Sequence, residues 1–81
     1  MKTKWQDGVP LFRSTNNLGR SVLVEAIGYE PRFIHVRQVA TDHEAWKQYD
    51  GTLGALWIDD KGLRPLNADA RALLAIARSA K

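Results

Sequence analysis

Cysteine is absent from the 81 residues. That removes disulfide staples, thiolate nucleophiles and thiolate metal sites together, and it is compatible with a reducing compartment. Long apolar runs are missing as well. No stretch approaches the roughly 18 apolar residues of a membrane span, and the opening MKTKWQDG lacks the apolar core of a signal peptide. The expectation is a soluble cytoplasmic protein with no membrane partner. The six glycines are scattered singly, so neither a phosphate-binding loop nor a dinucleotide fingerprint can be written from them. No repeat and no Pro/Gly/Ser-rich linker divides the chain. We therefore expect one domain over 1–81, with about 1–7 as a frayed or edge-covering arm. A domain of this size buries only roughly 60 to 65 per cent of its unfolded surface, so a single core must carry the fold.

Catalytic and metal constellations are equally sparse. Asp42-His43-Glu44 is the densest run of ligand types, but consecutive helical side chains splay by about 100 degrees and cannot converge on one ion. Nor is there the second histidine of a zinc-binding H-E-x-x-H helix. Ser14, Ser21 and Ser79 sit in no nucleophile-elbow or base motif. The reading is a protein without catalytic, metal or cofactor residues.

What is present is an ordered alternation of strand and turn signals. VPLFR reads as a short strand, with Pro10 marking a sheet edge or a strand start because proline donates no ladder hydrogen bond. STNNLG is a turn, and RSVLVEAIG is a strand on its Val22/Val24/Ala26 alternation, against a competing helix starting after Ser21. GYEP turns the chain into RFIHVRQVA, where Ile34 and Val36 share one face and Phe33, His35, Arg37 and Val39 the other. Thr41 and Glu44 have the spacing of a capping box, predicting a short helix that packs Ala45, Trp46 and Tyr49 inward and stops at Gly51. TLGALWI is apolar on both faces, which predicts a central, well-protected strand with Trp57 in the core. IDDKGLRPL then reads as a hairpin with Gly62 in the left-handed position of a bulge and Pro65 on an edge strand. Asn67 caps a final helix whose apolar face is Leu73, Ile76, Ala77 and Ala80, widened by Ala70 and Leu74. The fold class is α+β: a small, mostly antiparallel sheet in the order β-β-β-α-β-β-α, with one short and one C-terminal helix packed on one face.

Charge is modest in total, +3 from 12 Lys and Arg against 9 Asp and Glu, but uneven along the chain. Basic residues dominate 1–40 and 61–81, while 41–60 is acidic apart from Lys47. Arg32, His35 and Arg37 accompany Phe33 on or beside one strand, and Lys61, Arg64, Arg71, Arg78 and Lys81 could form a second basic strip. Cations with an aromatic between them suit phosphate contact and base stacking. Tryptophan and arginine are also the side chains that most often anchor protein interfaces. Trp5, in the polar N-terminal segment, is the tryptophan left over from the expected core.

These residues support two expectations. The first is a small non-catalytic binding or regulatory protein, an inhibitor or accessory protein docking on a larger protein partner, with a homodimer through a sheet edge near Pro10 or Pro65 as one form of it. In size it resembles accessory proteins of bacteria, plasmids or phages, a likeness of type that no motif carries. The second is a nucleic-acid-binding module using the basic strand face and the basic C-terminal helix. The candidate contact residues are Trp5, Arg32, Phe33, His35, Arg37, Arg64, Arg71 and Arg78.

Overall fold

A computed structural model of the chain describes residues 9–80. The expected N-terminal arm, Trp5 and Lys81 lie outside the described residues. In chain order the elements are β1 (Leu11–Thr15), β2 (Ser21–Glu30), β3 (Phe33–Thr41), a 3₁₀ segment (Glu44–Tyr49), β4 (Leu53–Trp57), β5 (Leu63–Pro65) and α1 (Ala68–Ser79). The strands form one antiparallel sheet ordered β4-β3-β2-β1-β5. The α+β class and the succession of elements therefore hold, and residues 21–30 are a strand.

Residues directly opposite one another in antiparallel strands project to the same face, so the register sorts the side chains. Phe12, Val24, Ala26, Val36 and Ile34 face inward and are buried. Ala70, Leu73 and Ala77, spaced along one stripe of α1, bury against them. Ile58 and Leu63, on either side of the β4–β5 connection, complete the core.

Two register shifts interrupt the β2–β3 ladder, between Leu23 and Val24 and between Ala26 and Gly28. Bulges of this kind bend a strand and increase its twist. The bend is visible in the connection from β4 to β5. It consists of two successive turns, closed by Asp60 N–H to the Trp57 carbonyl at 3.2 Å and Leu63 N–H to the Asp60 carbonyl at 3.1 Å. Each such turn spans less than about 7 Å. In a flat sheet the outer strands of five would lie about 19 Å apart, four spacings of about 4.8 Å. The sheet is thus coiled, and its opposite edges are drawn toward each other.

That coiling overturns two expectations. β4 and β5 are not a hairpin: β4 pairs with β3 and β5 with β1, at opposite ends of the strand order. β4 is not central either. Returning from the 3₁₀ segment, the chain takes the free side of β3, because both sides of β2 are already occupied by β1 and β3. Edge placement holds for Pro65 in β5, whereas Pro10 is a buried residue just before an interior strand. The β2–β3 turn also falls later than GYEP, at Pro31-Arg32, since β2 continues through Glu30.

The short helix differs from its prediction as well. Thr41 Oγ1 donates to the Ser21 carbonyl and accepts from His43 N–H, so it is not free to cap. His43 takes that role, its Nδ1 accepting from Ala45 N–H at 3.2 Å. Glu44 instead ion-pairs with Lys47 one turn on. With only six residues wound as 3₁₀, side chains three apart eclipse and no full apolar stripe forms. No residue of the segment is buried, Tyr49 is exposed, and Trp46 stacks on the His43 ring with centroids 4.5 Å apart. Gly51 does adopt the left-handed conformation that ends it, at φ +88°.

The closing helix is tied at both ends by groups from other elements. Asn67 Oδ1 accepts from Ala70 N–H at 2.8 Å, as a cap, and from Leu11 N–H at 3.3 Å; its amide donates to the Val9 carbonyl. At the other end, Arg32 N–H donates to the Ala77 carbonyl at 3.2 Å. Asn67→Ala removes the cap and the bonds to the β1 strand start together, so it should lower stability by about 2 kcal/mol, the upper end for a lost cap. Asn67→Asp retains the cap acceptor but not the donor to Val9, and is expected to fall between the two in urea denaturation.

Gly62 is required for a reason other than the one anticipated. Its φ is not positive. Its carbonyl accepts from Thr15 N–H at 3.0 Å, and a Cβ at this position would run into the Thr15 carbonyl oxygen. Gly62→Ala is therefore expected to cost about 2 kcal/mol or more, as other overpacking changes do, because backbone must move. Gly54→Ala, where a Cβ meets nothing, serves as the control.

Candidate functional site

The sheet face opposite α1 carries Phe33, His35 and Arg37 of the residues singled out from sequence. On it the register aligns Glu30, Phe33 and Trp57 in one row, Gly28, His35 and Ala55 in the next, and Leu11, Glu25, Arg37 and Leu53 in a third. Phe33 sits between two partners, edge to face with His35 and with Trp57, both at 5.4 Å between centroids. This places Phe33, His35 and Arg37 together, as expected, and adds Trp57, which was assigned to the core and is instead 64 % exposed. The reason is again the edge position, where β4 has no further strand and no helix above it.

Arg37 and His35 each have an acidic neighbour on this face. Arg37 Nη1 bonds Glu25 Oε1 at 3.2 Å, and His35 Nε2 lies 2.7 Å from Glu30 Oε2. Arg32 is ion-paired with Asp59. It belongs to the turn rather than to the strand face, and it takes φ +75°, a left-handed value unusual for a side chain of its size. Three bonds hold it there: its N–H to Ala77, its carbonyl from Ile58 N–H at 3.1 Å, and its guanidinium to Asp59. The Asp59-Asp60 pair is thus divided between an ion pair with Arg32 and an acceptor for Gly62 N–H at 2.8 Å.

The remaining basic residues are scattered. Arg13 and Arg64 oppose each other across β1 and β5, and neither makes an ion pair among the described residues. Arg64 donates to the carbonyls of Lys61 and Leu63. Arg71 and Arg78 are exposed on α1. Arg13 was not anticipated. Its alternation with the buried Phe12 in LFRST was the signal that it faces outward.

β4 has features the sequence reading missed. Its five residues, Leu53 to Trp57, include no charge and no proline, and Leu53 is 67 % exposed. Gln38 N–H bonds the Thr52 carbonyl at one end of its ladder, and Ile58 N–H the Arg32 carbonyl at the other. Hydrogen-bonding direction alternates along an antiparallel strand, so Thr52, Gly54, Leu56 and Ile58 address β3. Leu53 and Ala55 point their N–H and C=O groups to the open side, as Trp57 does its N–H, while the Trp57 carbonyl closes the turn to Asp60. Two shallow apolar recesses flank the strand, one of about 130 Å³ lined by Phe33, Ala55, Leu56 and Trp57 and one of about 250 Å³ whose lining includes Val22, Val36, Tyr49 and Leu56. Acidic groups stand at both ends: Asp50 before the strand, accepting from Gln38 Nε2, and Asp59 and Asp60 after it. Among the described residues, no three His, Cys, Asp or Glu side chains converge as a metal site would require.

Compared with models of known protein families, with curated proteins and with solved structures, the chain matches none of them.

Arg32 yields a test of how far backbone strain shapes the site. A non-glycine residue at left-handed φ costs about 1–2 kcal/mol, whereas an exposed ion pair contributes about 0–1. Arg32→Gly should accordingly leave the melting temperature unchanged or raised. Arg32→Ala keeps the strain and loses the pair, and should be about 1 kcal/mol less stable than Arg32→Gly.

Proposed function

We propose that this is a non-catalytic binding protein that docks on a larger protein partner through β4 and the aromatic pair beside it. The observation that carries the reading is the exposure of an uncharged, proline-free edge strand with Leu53 and Trp57 both more than 60 % accessible. Edge strands are ordinarily shielded by charge, proline or a covering element, because their unpaired backbone groups recruit other chains. The opposite edge illustrates this, since β5 has three residues and includes Arg64 and Pro65. The partner would seat against Phe33, Trp57 and Leu53, with the Arg37–Glu25 and His35–Glu30 pairs forming a polar rim. A regulator or inhibitor acting by occupying such a partner's surface fits this arrangement.

Nucleic-acid binding is the second reading, and one observation favours it. Arg13 and Arg64 face outward side by side without a carboxylate, and like charges directly across strands are unfavourable until an anion bridges them. The Arg32, His35 and Arg37 group gives it less support, because each has an acidic partner.

The two readings separate by surface. Leu53→Asp and Trp57→Ala should each abolish capture of one identified protein in a pull-down read by mass spectrometry, while Arg13→Glu with Arg64→Glu leaves it intact. Retention of a single-stranded oligonucleotide at about 50 mM salt, lost on adding salt and in the arginine double variant, would reverse that order.

A further inference from the structure

Going beyond the docking reading and resting on the second one, we infer that the recess between the β1–β2 turn and the start of β5 holds the phosphates of a single nucleic-acid strand without reading its bases. The recess has a volume of about 400 Å³ and is lined by Thr15, Asn16 and Asn17 on one side and by Lys61, Gly62 and Arg64 on the other. The bond from Thr15 N–H to the Gly62 carbonyl closes its floor. Ladder bonds fall on Thr15–Gly62 and on Leu66–Leu11, so by alternation Arg13 and Arg64 are a hydrogen-bonded pair with Cα atoms about 5.5 Å apart. Phe12 beside Arg13 is buried inward, so both arginines rise from the outer face, next to Lys61.

Charge and shape select the occupant. Arg13, Lys61 and Arg64 make no ion pair among the described residues, and no carboxylate or aromatic ring of the described residues lines the recess. Arg64 is held in place by the bonds from Nη1 to the Lys61 carbonyl at 2.7 Å and the Leu63 carbonyl at 3.1 Å, which leave its Nε and Nη2 donors for a ligand. Asn16 Oδ1 accepts from the N–H groups of Leu18 and Arg20, so the turn is fixed while the Asn16 amide remains a donor. Asp60, next to Lys61, accepts from Gly62 N–H and does not line the recess. Beyond Arg13 the face is acidic, because Asp42 lines the neighbouring recess and is bonded to Ser21. The path for an anion therefore runs from Arg13 toward Lys61. Three cations exceed the charge of one phosphodiester, so the ligand presents several phosphates. Asn16, Asn17, Lys61 and Arg64 are exposed, which makes the recess an open groove and not an enclosure for a small anion. A flexible strand can turn its backbone into such a groove, and without an aromatic ring its bases find nothing to stack on.

The test measures fluorescence anisotropy of labelled oligo-dT and oligo-dA, each about 12 nucleotides, with the whole chain from about 50 to 200 mM salt. The two should bind within about twofold of each other, and log affinity should fall against log salt with a slope of about −2, the value for three phosphates on a single strand. Lys61→Gln should flatten that slope by about 0.7, the share of one phosphate. Lys61→Glu with Arg64→Glu should weaken binding at least about tenfold, whereas Arg71→Glu with Arg78→Glu on α1, the same change in net charge, should weaken it far less. Asn17→Asp puts a carboxylate on the groove while Asn16 keeps the turn, and should also weaken binding with the melting temperature unchanged. Equal losses in the two double variants overturn the inference, since binding then follows net charge. A preference of tenfold or more between dT and dA overturns it as well, because bases are then read. So does inorganic tripolyphosphate displacing the strand at a lower phosphate concentration than unlabelled oligo-dT, which would make the ligand a free oligophosphate. Strand binding that survives Lys61→Glu with Arg64→Glu but is lost in Arg37→Glu removes this site and leaves the nucleic-acid reading. No binding of either strand at about 50 mM salt removes both.

Discussion

The fold depends on α1 lying across the coiled sheet, held at both ends by hydrogen bonds that cross between elements. Asn67 fixes the start of the helix to Val9 and Leu11, and the strained Arg32 backbone receives its end at Ala77. Between these points Ala70 and Ala77 are small enough to bring the helix close to the strands, and Leu73 fills the space against Phe12 and Ile34. A protein of 81 residues without disulfides has no second core to fall back on. Losing either end of the helix would expose the inner face of β1 and β2 together. The left-handed strain at Arg32 persists because three elements, α1, the β2–β3 turn and the end of β4, meet at its backbone and guanidinium.

This single covering helix determines what is left outside. It lies over β1, β2 and β5, while the short 3₁₀ segment packs beside β3. The outer face is then finished by side-chain pairs and not by another layer. Its ion pairs are half exposed, so they add little stability. Arg37 and Glu25 cancel each other's charge, and His35 and Glu30 bond to each other beside the aromatic pair.

Much of this was legible in the sequence, and the failures share one cause. Local signals located every strand and the Asn67 cap, because alternation and capping are decided within a few residues. The division of β3 into an Ile34/Val36 face and a Phe33/His35/Arg37 face came from the same period. What could not be read was which strands are neighbours. IDDKGLRPL has hairpin chemistry, yet the β2–β3 ladder carries two bulges, one in each strand, and two short turns take the chain from one edge of the coiled sheet to the other. Gly62 was assigned a left-handed turn position it does not adopt; what constrains it is its contact with Thr15, distant in sequence. β4 was placed in the centre and Trp57 in the core because a strand apolar on both faces is ordinarily central. Thr41 and Glu44 matched a capping box, but Thr41 found a partner across the sheet in Ser21.

The two edges of the sheet show why the misplacement of β4 matters most. β5 is short, includes Pro65, and carries an arginine, each a known means of discouraging further pairing. β4 has none of these over five residues. If both edges were simply tolerated, the longer and more apolar one should be the better shielded, and the reverse is found. The acidic residues beyond its ends are bonded to Gln38, Arg32 and Gly62 and do not cover the backbone between them. An edge that is uncharged and free of proline over its five residues is the part of this sheet least protected against pairing with another chain.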